Sequence, residues 1–340
     1  MPMFKKITQI YKEFGAKGIA RRVIRLLKEQ ASYFSAARVN RYLLKKSGLY
    51  GNYVRFINDI KLTRQTQRNI SSRGFRPIDQ FRVQDYKKSD RVFILGSGSS
   101  VNDLTPADWE HVSLSDSIGF NFWMVHDFIP NVYFIEPLEY GLWETFLQLL
   151  ELRKAHYFKT QFICNYKDWQ FYEGLFPLTK IPKEIARNMY FYSPYSLMAS
   201  SRKLVSSALW YWRFFKIDRA KLVDIIDHRA TLSALIMFSV FAGYKEIVLV
   251  GVDLNDTAYF WETNSSIQYK IKPPNLQTGK IHRTADPEID INQYSIPIDE
   301  YIYLLDRIIL KPRGISLFIA SDKSRLYPRL KKYSFPARQP

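Results

Sequence analysis

Continuous runs of apolar residues separated by glycine turns dominate the chain from residue 91 onward. Residues 92–95 and 247–250 are such runs, and a run without polar alternation predicts a strand buried on both faces, as in a parallel sheet. The segment 230–242 is apolar all round, which predicts a buried helix ending at Gly243. This order predicts an α/β fold: a Rossmann-like, mostly parallel sheet with helices on both faces.

The C-terminal part continues the same alternation. Residues 298–310 have the spacing of an amphipathic helix, with Tyr301, Leu304, Leu305 and Ile308 facing inward. Residues 315–319 predict a final buried strand, after which Ser321 would open onto the crevice of the sheet.

Both predicted central strands end in glycine, which indicates a ligand loop. The first is followed by Gly96-Ser97-Gly98-Ser99-Ser100 and the second by Gly251-Val252-Asp253. Glycines allow close backbone approach to a phosphate, the N–H groups of residues 97–100 would face an anion, and Asn102 or Asp103 would cap the next helix. Ligands bind outside the carboxyl ends of parallel strands, so Asp253 is expected to accept from a ribose hydroxyl or a base amine. A tight turn without a ligand is the alternative.

This pattern resembles the bacterial sialyltransferases of glycosyltransferase family 42. The resemblance covers roughly residues 91–320 and is strongest at 229–254. It implies a GT-A-variant fold, a CMP-sialic acid donor or a related CMP-ketose, and a surface glycan acceptor linked to lipid. The family's loops then assign the donor site to Gly96, Ser97, Gly98, Ser99, Ser100, Asn121, Glu136, Thr231, Gly251, Asp253, Asn255 and Tyr259. Ser97 and Glu136 stand where the family has asparagine, and Tyr259 is the candidate for one of its two phosphate-binding tyrosines.

The resemblance also implies that His282 is the general base, in a mobile lid at about 255–292. An imidazole titrating near neutrality suits the deprotonation of a hydroxyl. The other reading of this polar loop is a solvated, mobile basic segment. The chain contains no Asp-x-Asp, the usual metal-holding pair of UDP-sugar enzymes, so we expect inverting transfer that needs no metal and no cofactor. The alternatives are another nucleotide-dependent transferase on this scaffold, or a membrane-recruited nucleotide-binding module without catalysis.

Positive charge is concentrated at the N-terminus. Residues 1–90 hold 21 Lys and Arg against 6 Asp and Glu, whereas residues 91–340 hold 29 against 26. Residues 4–27 predict a basic amphipathic helix of the kind that lies on an anionic membrane, and a second cationic helix is predicted at 36–47. We therefore expect a basic helical extension at 1–88 and a transferase domain at 89–340. A helical subdomain packed on the core is the alternative, and nucleic-acid binding lacks any supporting motif.

The single cysteine, Cys164, excludes an internal disulfide framework and suits a reducing compartment. No apolar stretch reaches 18 residues, so the chain is expected to be cytoplasmic and peripheral on the inner face of the membrane. The sequence leaves a homo-oligomer open.

Overall fold

The chain divides into two compact units, Met1–Ile57 and Asn58–Pro340. The computed structural model describes only residues of the second unit, and the helices predicted at 4–27 and 36–47 lie outside them. The described residues are 63–72, 74–136, 142–166, 180–197, 199, 201–215, 221–264, 271, 273, 279–288 and 296–336. Among these residues, no helix combines the length and the apolarity that crossing a bilayer requires.

An eight-stranded parallel sheet forms the centre of the second unit, as predicted. Its strands occur in the order β10-β9-β8-β1-β2-β3-β4-β5, and every pair of neighbours is parallel. The strands are β1 (Arg91–Leu95), β2 (Asp116–Phe120), β3 (Val132–Ile135), β4 (Gln161–Asn165), β5 (Met189–Tyr192), β8 (Glu246–Val250), β9 (Ser316–Ile319) and β10 (Lys331–Lys332). A separate parallel pair consists of β6 (Tyr195–Ser196) and β7 (Ile226–Asp227).

Helices cover both faces of the sheet. After β1, the α-helices of the described residues are α1 (Pro106–Ser113), α2 (Leu142–Arg153), α3 (Lys183–Ala186), α4 (Arg202–Phe215), α5 (Thr231–Phe241), α6 (Phe260–Thr263) and α7 (Ile298–Leu305), and α7 continues as a π-helix over Asp306–Leu310. Successive residues of a strand point to opposite faces. In β3, the Tyr133 ring lies 6.4 Å from Phe146 of α2, and the Phe134 ring lies 5.1 Å from Phe238 of α5. The α/β class is therefore confirmed.

Hydrophobic burial explains why the predicted central elements form where they do. The β1 and β8 side chains from the second residue of each strand onward are buried, as is α5 from Leu232 to Val240. The inward positions predicted for the C-terminal helix are also buried, and Cys164 is fully inaccessible.

Two local predictions were wrong. The strand after residue 315 is not the last, because β10 pairs with it through Lys331 and Lys332. The helix after the first glycine loop is capped by Thr105, whose side chain accepts from the Asp108 N–H. Asn102 instead donates from Nδ2 to the Phe260 carbonyl at 2.9 Å, because a 3-10 turn at Ser99–Asp103 intervenes before α1.

Candidate functional site

The two glycine loops meet at the point where the strand order reverses. The strands β2 to β5 extend from β1 on one side, whereas β8 lies against β1 on the other. Such a switch point leaves a crevice at the carboxyl ends of the strands, which is where ligands bind in open α/β sheets. The loops are joined directly, because the Gly96 N–H donates to Val250 O at 2.7 Å and the Gly98 N–H donates to Gly251 O at 2.8 Å.

The packing of one loop on the other requires these glycines. A Cβ on Gly96 would lie 2.6 Å from Gly251 O, and a Cβ on Gly98 would lie 2.5 Å from Asp253 Oδ2. Gly251 has a φ of +63°, and its Cβ would lie 2.5 Å from Val101 Cγ2. Protein atoms therefore already occupy the close approach that the sequence assigned to a phosphate.

Asp253 holds the two loops together. Its carboxylate accepts from the Ser100 backbone N–H at 2.9 Å and from the Ser100 hydroxyl, and Ser99 Oγ lies 3.5 Å from Oδ2. The residue is 4% exposed. Burial raises the pKa of its carboxyl above the ordinary value, although the hydrogen bonds from Ser100 act in the opposite direction. The expectation that this carboxylate is open to a ribose or a base is corrected, because residues of its own chain use it.

Ser97 has a hydroxyl that the hydrogen bonds between these loops do not use. It is 8% exposed, and its hydroxyl is buried without a hydrogen-bond partner among the described residues. Its carbonyl accepts from the Phe260 N–H at 3.0 Å. A buried, unsatisfied hydroxyl is costly unless a partner arrives, so Ser97 is a candidate ligand contact.

Asn121 and Tyr259 lie at the same edge. Asn121 follows β2, is exposed, and has a left-handed backbone with φ of 53°. Tyr259 forms an isolated antiparallel bridge with Gly98 and stacks on Trp261 at 4.5 Å. The bridge places this tyrosine directly against the first glycine loop.

Glu136 belongs to a neighbouring polar group at the ends of β3, β4 and β5. Its carboxylate accepts from Asn165 Nδ2 at 2.9 Å and from Tyr192 Oη at 2.6 Å. Asn165 and Tyr192 were not predicted as site residues, although a polar residue at the end of an apolar strand is a signal for such a role. These bonds fix the carboxylate at the carboxyl edge of the sheet.

Three more predicted residues have different surroundings. Thr231 is the first residue of α5, but the helix is preceded by Ala230 without a side-chain cap. Asn255 is exposed and donates from Nδ2 to Lys323 O at 2.6 Å, which ties the β8 loop to the loop after β9. Ser321, predicted to open onto the crevice, is 9% exposed, and its Oγ accepts from the Lys323 N–H.

His282 lies beside the second glycine loop. The structure describes 255–264, 271, 273 and 279–288 of the predicted lid. The His282 N–H donates to the carbonyl of Leu254 at 3.0 Å, and its own carbonyl accepts from the Ala285 and Asp286 N–H groups. The predicted base is therefore held one residue beyond Asp253.

Burial lowers the pKa of the His282 imidazole to about 4. The ring is therefore neutral near pH 7, which is the state a general base requires. This pKa lies below the near-neutral value expected of a little-perturbed histidine, because the pattern of the loop did not reveal its burial. Its Nδ1 accepts from the Thr284 backbone N–H at 3.3 Å and lies 2.9 Å from Thr284 Oγ1.

Arg229 holds the same segment from the other side. Its guanidinium donates to Asp286 O at 2.6 Å and to Arg283 O at 3.4 Å, and its backbone has a φ of 61°. This role could not be predicted, because no sequence pattern marks an arginine that takes a left-handed backbone conformation before a helix.

The structure thus brings together most of the predicted set around the switch point: Gly96, Ser97, Gly98, Ser99, Ser100, Gly251, Asp253, Tyr259 and His282. Within the part of the chain that the structure describes, no three His, Cys, Asp or Glu side chains are grouped as metal ligands.

No protein-family model and no curated protein matches this sequence. Two solved structures are similar to this protein. One is the monofunctional alpha-2,3-sialyltransferase Cst-I from Campylobacter jejuni, with 16% identity and a TM-score of 0.38 over 72% of this chain and 80% of that one. The other is the sialyltransferase CstII from Campylobacter jejuni in complex with a substrate analogue, cytidine-5'-monophosphate, with 15% identity and a TM-score of 0.36 over 73% and 85%. Identities of 15–16% do not identify the reaction.

Proposed function

We propose that this protein is an inverting glycosyltransferase that moves sialic acid or a related ketose from a CMP-sugar to a hydroxyl of a lipid-linked surface glycan. The observation that carries the proposal is the position of His282. The backbone N–H of His282 donates to Leu254 O, directly after the loop that closes the switch-point crevice, and its partly buried imidazole is neutral near pH 7. That position suits a base working next to a bound nucleotide sugar.

The proposed chemistry divides between the residues of the site. The donor's nucleotide would lie over the glycine loops, with Ser97 Oγ, Asn121 and Tyr259 as the polar contacts. His282 would remove the proton of the acceptor hydroxyl as that oxygen attacks the anomeric carbon. The glycosidic bond to the phosphate breaks, CMP leaves with the electron pair, and inversion follows from attack opposite the leaving group.

The state of the imidazole fits this role. In the structure, Nδ1 accepts from the Thr284 backbone N–H, so the proton of the neutral ring is on Nε2. The proposed base is the other tautomer, in which Nδ1 donates to Thr284 Oγ1 and Nε2 keeps its lone pair for the acceptor hydroxyl. The Thr284 hydroxyl then orients the ring, as such a group does for a catalytic histidine. No metal takes part in the proposed mechanism.

The direct test is ligand binding followed by turnover. CMP should raise the melting temperature and UDP should not, because saturation at 100 times Kd stabilises a protein by about 2.7 kcal/mol. His282→Ala should lower kcat by roughly 100- to 10,000-fold, the usual contribution of a general base, while the shift caused by CMP persists. The exposed His156 provides a matched control, since His156→Ala should preserve both. A shift caused only by NAD or ATP would reject the CMP-sugar donor.

A further inference from the structure

A second, fully buried histidine faces the segment that carries His282. His228 follows β7 and is 2% exposed. Its ring stacks on Tyr301 of α7, with centroids 4.5 Å apart and 16° between the planes. Its backbone N–H donates to Ser233 Oγ at 2.7 Å, which fixes it to the first turn of α5. The proposed reaction makes no use of this side chain.

Both ring nitrogens of His228 face backbone carbonyls from different parts of the chain. Nδ1 lies 2.6 Å from Leu197 O, just after β6, and Nε2 lies 3.1 Å from Ile296 O, just before α7. A neutral imidazole has one N–H and an imidazolium has two, so the ring ties at least one carbonyl in either state.

Among the residues that the structure describes, three charged or titratable groups surround this ring. Asp227 and Arg229 flank it on its own segment, and Tyr301 covers it from α7. Burial lowers the pKa of His228, while the two carbonyls and Asp227 raise it and Arg229 lowers it. The net effect lowers the pKa of His228, so the ring is neutral at pH 7 and its single N–H binds one of the two carbonyls; the tie to Ile296 uses the tautomer with the proton on Nε2.

Three polar contacts, joined by short stretches of covalent chain, connect His228 to His282. Nε2 of His228 meets the carbonyl of Ile296 at 3.1 Å. Two residues on, the Ile298 N–H donates to Thr284 O at 3.0 Å. Thr284 Oγ1 in turn lies 2.9 Å from His282 Nδ1. A displacement of residue 296 is therefore transmitted to the imidazole by way of Thr284.

We infer that His228 is a positioning residue for His282, tying Ile296 to the β6–β7 pair so that Thr284 and the imidazole that it contacts stay in place. The inference rests on the proposed function for the role of His282, but not for the geometry. Without the tie, the segment around Thr284 loosens and the His282 ring gains access to water. A base that moves by about 1 Å loses on the order of 100-fold in rate, whereas a nucleotide on the glycine loops is unaffected.

The test compares His228→Leu, which removes both ring nitrogens, with His228→Gln, which keeps an amide donor. His111→Gln is the matched control, because His111 contacts Arg91 and Tyr333, away from the lid. Histidine-labelled full-length protein is titrated by NMR, with the His282 signal assigned from its loss in His282→Gln. Turnover, donor KM and CMP affinity are measured on the same samples.

In the native protein and in His111→Gln, the pKa of His282 should be about 4. In His228→Leu, it should move toward the unperturbed 6.5, with kcat lower by roughly 10- to 100-fold and CMP affinity unchanged. His228→Gln should fall between the two and remains the test if the leucine variant does not fold. A His282 titration that is the same in native protein and in the folded variant overturns the inference. A titration that moves in a protein without transferase activity upholds the tie and rejects the proposed function.

Discussion

Gly98→Ala tests whether the glycine loops exist for packing on each other. Gly98 has φ of −67° and ψ of 158°, a conformation that alanine adopts without strain. The added Cβ would nevertheless lie 2.5 Å from Asp253 Oδ2 and 2.9 Å from Gly251 O. The cost must therefore come from contact alone, and the carboxylate that binds Ser100 has to move.

The magnitude follows from two effects. Overpacking of a tight site costs about 1–3 kcal/mol, and weakening the hydrogen bonds from Ser100 to a charged group costs about 1.5–3 kcal/mol. We expect Gly98→Ala to lower the free energy of unfolding by about 2–5 kcal/mol, because both effects arise from the same contact and do not add in full. Gly98→Val should cost at least as much, because valine is larger still.

Urea unfolding measures this free energy, and two other glycines separate its causes. Gly279 has its nearest neighbour, Ile281 O, at 3.4 Å, so Gly279→Ala should change stability by less than about 0.5 kcal/mol. Gly314 has nothing within 4 Å but a φ of +67°, so Gly314→Ala should cost about 1–2 kcal/mol through its backbone alone. If Gly98→Ala costs no more than Gly279→Ala, the packing argument fails.

Three further predictions follow from the site and its surroundings. Burial lowers the pKa of His126 and His282 to about 4, so the unfolded chain binds protons below pH 6.5 while the folded chain does not. Stability should therefore fall as the pH drops from about 7 toward 4, by about 1.4 kcal/mol per residue at pH 5.5, and equal urea midpoints at pH 7.5 and 5.5 would contradict this. Thr284→Val should lower kcat by about 10-fold or more if the hydroxyl fixes the His282 tautomer, whereas Thr284→Ser should retain turnover; equal rates for both remove Thr284 from that role. Deleting residues 1–57 should abolish salt-sensitive binding to anionic vesicles and keep the melting shift with CMP, and vesicle binding that survives the deletion would place the lipid contact elsewhere.

The sequence by itself determined the elements and their class. Continuous apolar runs at 92–95 and 247–250 have no polar face to expose, so they had to be strands buried on both sides. A helix that is apolar all round before the second run required cover on the sheet, and the glycines after each run marked where the chain turns. These features are local, and local pattern is enough to fix them.

Only the tertiary structure decided what the site residues face. Pairing of β1 with β8 brings Gly98 and Asp253 together across 155 positions of sequence, and that contact commits the carboxylate to Ser100 rather than to a ligand. The low pKa of His282 arises from burial by residues distant in the chain, which its own polar loop does not reveal. Composition and spacing record which groups are present, whereas desolvation and hydrogen bonding depend on which segments pack around them.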